Sequence, residues 1–392
     1  MRRYVDSDVL KAPLGALLLT LLVIVVSFVT YRAWIQGADH RDFYPRWAGA
    51  RRVVEGENDI YSVEATKAMQ VRLYGAEITE GRDQQGFAYP AIVLPFLLPF
   101  ALIDDVEIAT AIWEGLTVAL LIGGLYLLQK AMEERVSFLP ILLLILWSYT
   151  LLMVFQGQIT GLVLFSLSAG YWAYCRRAEF LAGLLLSIGL VKPELVLLPI
   201  ALLAAWAIGN RRFRLLSGMV AGLSATFAFS LILIGWWIEE WLAALIRYTE
   251  YARIVWPVGF LWNISPLLLA ALTALVVWGL IKLKWEREGL FATMVPFQLL
   301  LFPQTLLWSL SMLCLPLIYA WKQRARAGVL TIWILGWMLL LLNVSSEWWK
   351  AQIVAVALST LFLLFFLHLP WARNPRDLKL TTSRPPDFAK RG

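Results

Sequence analysis

The chain has little of what charge, sulfur or imidazole chemistry needs. Only 16% of its 392 residues are charged, against roughly a quarter in an ordinary soluble domain. Its two cysteines, Cys175 and Cys314, stand far apart, so neither a disulfide framework nor a Cys-x-x-Cys metal pair is available. Two histidines, His40 and His368, are too few for a histidine-rich zinc site, and no metal or cofactor is expected. There is no glycine-rich phosphate loop and no Gly-x-Ser-x-Gly elbow, so two common signatures of nucleotide-binding and serine-nucleophile enzymes are missing.

What fills the chain is apolar. Hydrophobic residues make up 60% of it and the mean hydropathy is +0.71. Long Leu/Ile/Val/Ala runs recur from end to end, without the period-two alternation of a membrane barrel. The expected fold is an all-α polytopic membrane protein. The first run, residues 12–34, is too long for a signal peptide and is followed by bulky and charged residues, so it reads as a retained anchor. The net charge of +7 lies in short clusters between runs. That distribution is a topology signal rather than a nucleic-acid footprint.

Lys and Arg then orient the chain. Arg2, Arg3 and Lys11 place its start in the cytoplasm. The polar stretch 35–87 follows as a long first extracytoplasmic loop. Within it 44–54 and 62–74 read as helices, the second suited to lying on the membrane surface, with a turn at Gly56 and Asn58-Asp59. Residues 88–103 carry Pro90, Pro95 and Pro99 and are short for a span, so they are expected to dip into the outer leaflet. The basic clusters at 130–135, 175–177, 210–214, 282–287 and 322–326 then all fall inside. About twelve transmembrane helices result, in one membrane domain over 1–370, with a basic and disordered tail over 371–392. If 88–103 crossed fully, most of the basic clusters would invert.

This topology brings scattered polar residues to one outer face. Asp42 can act as general base on an acceptor hydroxyl, or it can simply N-cap the helix that follows; Asp39 competes for the first role. Tyr44, Arg46 and Trp47 are suited to holding a sugar ring or a phosphate. Lys192 is flanked by apolar runs and followed by Pro193-Glu194. An ionisable residue in such a place is a functional candidate, here as a point charge on a lipid-linked phosphate. The bland alternatives are a snorkelling lysine or one neutralised by Glu194. Gln158 lies between Gly157 and Gly161, where close helix approach and a cross-helix hydrogen bond are expected. Tyr89, Asn263 and Glu347 complete the candidates. Glu347 adjoins Trp348-Trp349, which suits carbohydrate or an ordinary interfacial belt.

A series of stretches runs along the chain: DFY…W…G…IY from Asp42 to Tyr61, FAYPAIVLPFLLPFALI at 87–103, the helix carrying Trp113, QGQITGLVLF at 156–165, AGLLLSIGLVKPELVLLP at 182–199, NRRFR, NISP at 263–266 and LFPQTLLWSL at 301–310. In order and spacing these resemble the GT-C superfamily of integral-membrane glycosyltransferases. The closer resemblance is to glycosyltransferase family 87, the polyprenol-phosphate-mannose-dependent α-mannosyltransferase-like family. The resemblance implies a GT-C-like bundle, a catalytic aspartate in the first outer loop, a lipid-phosphate sugar donor and inversion at the anomeric carbon. Carried over, Asp42 is the base, Lys192 a phosphate contact and Gln158 a polar group of the cavity. One position departs: family members often carry a histidine after the late Pro-x-Ser/Thr motif, where this chain reads Pro303, Gln304, Thr305, then Trp308 and Ser309.

The expected function is transfer of a hexose, by default mannose, from a polyprenyl-phosphate donor to a lipid-linked or cell-envelope glycan acceptor. The expected site faces outward from a multi-pass protein of the cell membrane, whose partners are that donor, that acceptor and membrane lipid, with no nucleic acid. The alternative is a flippase or carrier for lipid-linked sugars. Carriers tend to show internal repeats, and the long first loop has no counterpart in the second half.

Overall fold

Every regular element among the described residues is helical, as the apolar runs require. The structure, a computed structural model, describes residues 20–32, 42–78, 85–132, 136–251, 287–302, 306–323 and 325–342, with isolated positions between 259 and 270. Asp39, His40, Ser265, Pro303 to Thr305, Glu347 to Lys350 and the tail lie outside the described residues.

Helix α1 (Thr20–Arg32) belongs to the first apolar run. The polar loop folds as two short helices, α2 (Tyr44–Val54) and α3 (Val63–Tyr74), at the places the sequence suggests. Ser62 caps α3 by accepting from the Ala65 amide at 2.9 Å, and Gly56 turns the chain at φ +85. Burial raises the Asp59 carboxyl, but hydrogen bonds from Arg52 and Ser62 outweigh it and hold Asp59 below the ordinary carboxylate range. A 3₁₀ turn (Ala91–Val93) leads into α4 (Leu94–Ala101). Eight helical residues rise only about 12 Å, less than half of a hydrocarbon core of ~30 Å.

Helix α5 (Val106–Met132) is the longest described, and Asp105 starts it by accepting from the Ile108 amide at 3.0 Å. That bond holds the Asp105 carboxyl below its ordinary value. The bent pair α6 (Phe138–Ile145) and α7 (Ser148–Phe155) turns through 59°. Then come α8 (Thr160–Cys175), α9 (Glu179–Ile188), α10 (Leu197–Gly209), α11 (Phe213–Ile234) and α12 (Ile238–Tyr251). The described elements close with α13 (Arg287–Leu301), a 3₁₀ segment (Leu307–Leu313) leading into α14 (Cys314–Lys322), and α15 (Arg326–Leu342).

Small residues set the tightest crossings. A Cβ on Gly161 of α8 would lie 2.6 Å from Thr117 Cγ2 of α5. A Cβ on Gly183 of α9 would lie 2.1 Å from the Leu215 carbonyl of α11, and one on Gly218 as close to the Phe180 carbonyl. Helices α9 and α11 thus approach backbone to backbone, the packing that a membrane interior favours when apolar side chains gain nothing by hiding from lipid.

Two of the described helices, α5 and α11, are long and apolar enough to cross a membrane, and the bent pair makes a third if it is one span. The remaining apolar helices have 10–17 residues, and the expected count of twelve rests on loop charge. The basic turns have their own geometry. Arg177 after α8 and Arg211 after α10 both adopt left-handed backbone, at φ +61 and +54. Arg212 bonds Glu179 at 2.9 Å, so these two turns sit together at one end of α8 and α9. The other end of those helices holds Thr160 and the break at Lys192.

Candidate active site

The site is assembled where three helices end. Helix α7 stops at Gly157, whose φ of +56 reverses the chain. The Gly157 amide bonds the Val154 carbonyl at 2.8 Å and the Gln158 amide bonds the Met153 carbonyl at 3.1 Å. Together these form a Schellman cap, which satisfies two carbonyls at the helix end and fixes where Gln158 begins. The Gly157 carbonyl in turn accepts from the Trp113 indole of α5 and from Arg46 Nη1 of α2, both at 3.0 Å.

Helix α9 continues as a 3₁₀ turn (Gly189–Val191) and breaks at Lys192, with φ −136 and ψ 74, before Pro193. A residue before proline is pushed out of helical geometry, and here that turns the lysine inward. Lys192 is 4% exposed. Its Nζ donates to Gln158 Oε1 at 3.0 Å and to Thr160 Oγ1 at 3.3 Å. Glu194 is half-buried and forms no ion pair with it among the described residues. The break is braced from outside by Gln298 of α13, which donates to the Glu194 carbonyl at 2.7 Å and accepts from the Leu198 amide at 2.8 Å.

Arg46 enters from the first turn of α2 and is 3% exposed. Its Nη2 donates to the same Gln158 Oε1 at 3.0 Å and to the Tyr89 hydroxyl at 2.5 Å. Its Nε, also buried, has no hydrogen-bond partner among the described residues. Gln158 Nε2 donates to Asp42 Oδ2 at 2.5 Å, and Asp42 is half-buried. The N-cap residue of α2 is Phe43, with no side-chain cap bond. Asp42, one residue before it, is turned toward Gln158.

Asp42, Arg46, Tyr89, Gln158 and Lys192 thus meet around one carboxamide, although they span 151 positions of sequence. Both cations rest on neutral oxygens. Burying a charge on neutral partners is costly unless something repays it, and a site for an anion is one such return.

The other candidates lie elsewhere. Trp47 is buried, and its indole donates to the Phe100 and Ile103 carbonyls at 3.2 and 3.1 Å, satisfying the end of α4. Tyr44 packs beside it, with ring centroids 6.1 Å apart. Burial raises the Tyr44 phenol above its ordinary value, partly offset by Arg72. Asn263 is exposed, and Glu347 lies outside the described residues. A cleft of about 60 Å³ between α3 and α12 is lined by Thr66, Phe87, Arg247 and Tyr248 among others. It does not include the Gln158 cluster, but Phe87 joins the two regions, lying 5.6 Å from the Tyr61 ring and 6.4 Å from Tyr89.

Sequence reasoning missed Thr160 and Gln298. Each is a single uncharged polar residue beside or within an apolar run, and nothing local separates a bracing role from ordinary packing. Tyr61 was visible only as the end of a motif. It is buried, donates to the Tyr89 carbonyl at 2.7 Å, and so fixes the strand of chain from which Tyr89 meets Arg46. Burial, reinforced by the Glu240 charge, holds its phenol well above the ordinary tyrosine value, so it serves as a neutral donor.

Neither the curated proteins nor the solved structures contain a match to this chain. The model of glycosyltransferase family 87 matches residues 87–342. That span takes in Tyr89, Gln158 and Lys192, and begins after Asp42 and Arg46. With more than half of its length matched, and with apolar helices of membrane length, the chain belongs to glycosyltransferase family 87 and is a membrane glycosyltransferase acting between a sugar donor and an acceptor.

Proposed function

We propose that the protein transfers a hexose, mannose by default, from a polyprenyl-phosphate donor to a lipid-linked or cell-envelope glycan at the outer face of the membrane. The observation that carries this reading is the pair Arg46 and Lys192, both buried and both resting on neutral oxygens beside Asp42. In the proposed reaction an acceptor hydroxyl oxygen attacks the anomeric carbon. The bond from that carbon to the donor phosphate oxygen breaks, and the configuration inverts. Asp42 takes the hydroxyl proton. The departing lipid phosphate leaves with the bonding electrons and is held by Arg46 and Lys192. A lipid donor suits a chain whose cytoplasmic loops are short and whose sequence lacks a nucleotide loop.

The outward orientation and the GT-C-like bundle of about twelve spans belong to the same proposal. In support, the basic turns 176–178 and 210–212 gather at the end of α8 and α9 opposite Lys192. Positive charge marks the cytoplasmic side. The shortness of α4 supports a dip of 88–103 into the outer leaflet.

The test is Asp42→Asn in proteoliposomes supplied with labelled polyprenyl-phosphate mannose and a membrane extract as acceptor. Transfer is expected to fall by about 10³-fold or more, since the variant lacks the base and keeps the fold. Wild-type rates in that variant would remove Asp42 from the role.

A further inference from the structure

Gln158 is neutral, yet three charged side chains depend on it. Its Oε1 accepts from Arg46 Nη2 and Lys192 Nζ, both at 3.0 Å, and its Nε2 donates to Asp42 Oδ2 at 2.5 Å. The orientation of the amide is fixed by its partners. Neither cation can accept a hydrogen bond and an ionised carboxylate cannot donate one, so the oxygen must face the cations. Its backbone is equally constrained, because the Gly157 reversal and the amide bond to Met153 set its position.

A carboxylate and a guanidinium close together in a poorly solvated site attract strongly and favour direct, forked pairing. Such a pair would occupy the guanidinium that a phosphate needs. It would also lower the basicity of the carboxylate, because a neighbouring cation favours the ionised form. Here Arg46 bonds Gly157, Tyr89 and Gln158 and, among the described residues, no carboxylate. The carboxamide meets the anion with its positive end and the cations with its negative end, and neutralises neither.

We propose that Gln158 is a positioning residue that keeps the base, Asp42, apart from the phosphate-binding cations, Arg46 and Lys192. The inference rests on the roles just proposed for those three residues. It gives the amide a defined part in the cycle. An incoming lipid phosphate takes over Arg46 and Lys192 from Gln158 Oε1, while Nε2 keeps Asp42 aimed at the acceptor.

The test measures binding of a short-chain polyprenyl phosphate to the detergent-solubilised full-length protein by calorimetry. Gln158→Glu places a carboxylate on both cations, and affinity is expected to drop by about 100-fold. Gln158→Leu removes the separator, Arg46 turns to Asp42, and affinity is expected to drop by about tenfold. The informative step is the double variant. Adding Asp42→Asn to Gln158→Leu leaves Arg46 no carboxylate to pair with, and should restore affinity to within about threefold of the Asp42→Asn single variant. Adding it to Gln158→Glu should restore nothing.

A packing role for Gln158 predicts no rescue by Asp42→Asn, so an unrescued Gln158→Leu variant overturns the proposal. So does a Gln158→Glu variant that binds like wild type, a result that stands even if Gln158→Leu fails to fold. Failure of the wild type to bind the phosphate would remove the phosphate reading and this inference together. Wild-type binding, an inactive Asp42→Asn variant and unchanged affinity in the Gln158 variants would remove this inference alone.

Discussion

Lys192 is where side-chain chemistry and stability pull in opposite directions. It is 4% exposed and, among the described residues, its ammonium faces only the Gln158 and Thr160 oxygens. Taking a charge out of water without a counter-charge is expensive, and an apolar residue of similar length avoids that expense. Lys192→Met is therefore expected to unfold at the same temperature as the wild type or a few degrees higher, while sugar transfer falls by about 100-fold or more. Scanning fluorimetry and a transfer assay on the same preparation separate the two effects. A clear loss of thermal stability would show that the lysine is structural. The residue scale was also where the sequence spoke most clearly. Lys192 stands out because a charge flanked by apolar runs is costly and therefore informative, and Asp42 because it is a carboxylate in the polar first loop. For Trp47 the sequence offered sugar recognition, and the structure shows its indole donating to the carbonyls at the end of α4. Nothing in the local sequence distinguishes those uses.

At the scale of elements, the site depends on how helices stop. Gly157 ends α7 at φ +56, and a Cβ there would lie 2.6 Å from the Phe43 Cβ, under α2. Gly56 is also left-handed, at φ +85, but a Cβ there would meet nothing within 4 Å. The two positions separate backbone strain from steric overlap. Gly56→Ala should cost about 1 kcal/mol and leave transfer unchanged. Gly157→Ala carries the same strain plus a clash with a residue packed 5.6 Å from Trp113, and should cost roughly 2–4 kcal/mol and reduce transfer. Equal losses of melting temperature in the two variants would mean that α2 can move aside. Helix ends of this kind were partly legible. Pro193 announced the break at Lys192, and Gly157 beside Gln158 announced a close approach. The partners were not legible, because Trp113, Arg46 and Gln298 reach these ends from 44, 111 and about 100 positions away. Such contacts depend on which helices pack together, and hydrophobic periodicity does not encode that.

For the whole molecule, apolar runs fix the class and loop charge proposes the orientation, while no single helix records which side faces out. The same charge argument that counts about twelve spans also puts the turn after α8 inside and the turn after α2 outside. The two ends can be probed with one chemistry. Cys175 is exposed beside Arg176 and Arg177, whereas Cys314 is buried. Asn58 is exposed in the turn between α2 and α3. In intact cells a membrane-impermeant maleimide should leave Cys175 unlabelled until the membrane is permeabilised. In a Cys175→Ala background, Asn58→Cys should be labelled at once. The reverse pattern would turn the molecule over and put Asp42 in the cytoplasm, where the reason for preferring a lipid-borne donor would disappear. Labelling at both positions from outside would instead mean an odd number of crossings fewer or more between residues 58 and 175. Residues 88–103 would then be the first segment to reconsider, because a full crossing there inverts every loop that follows.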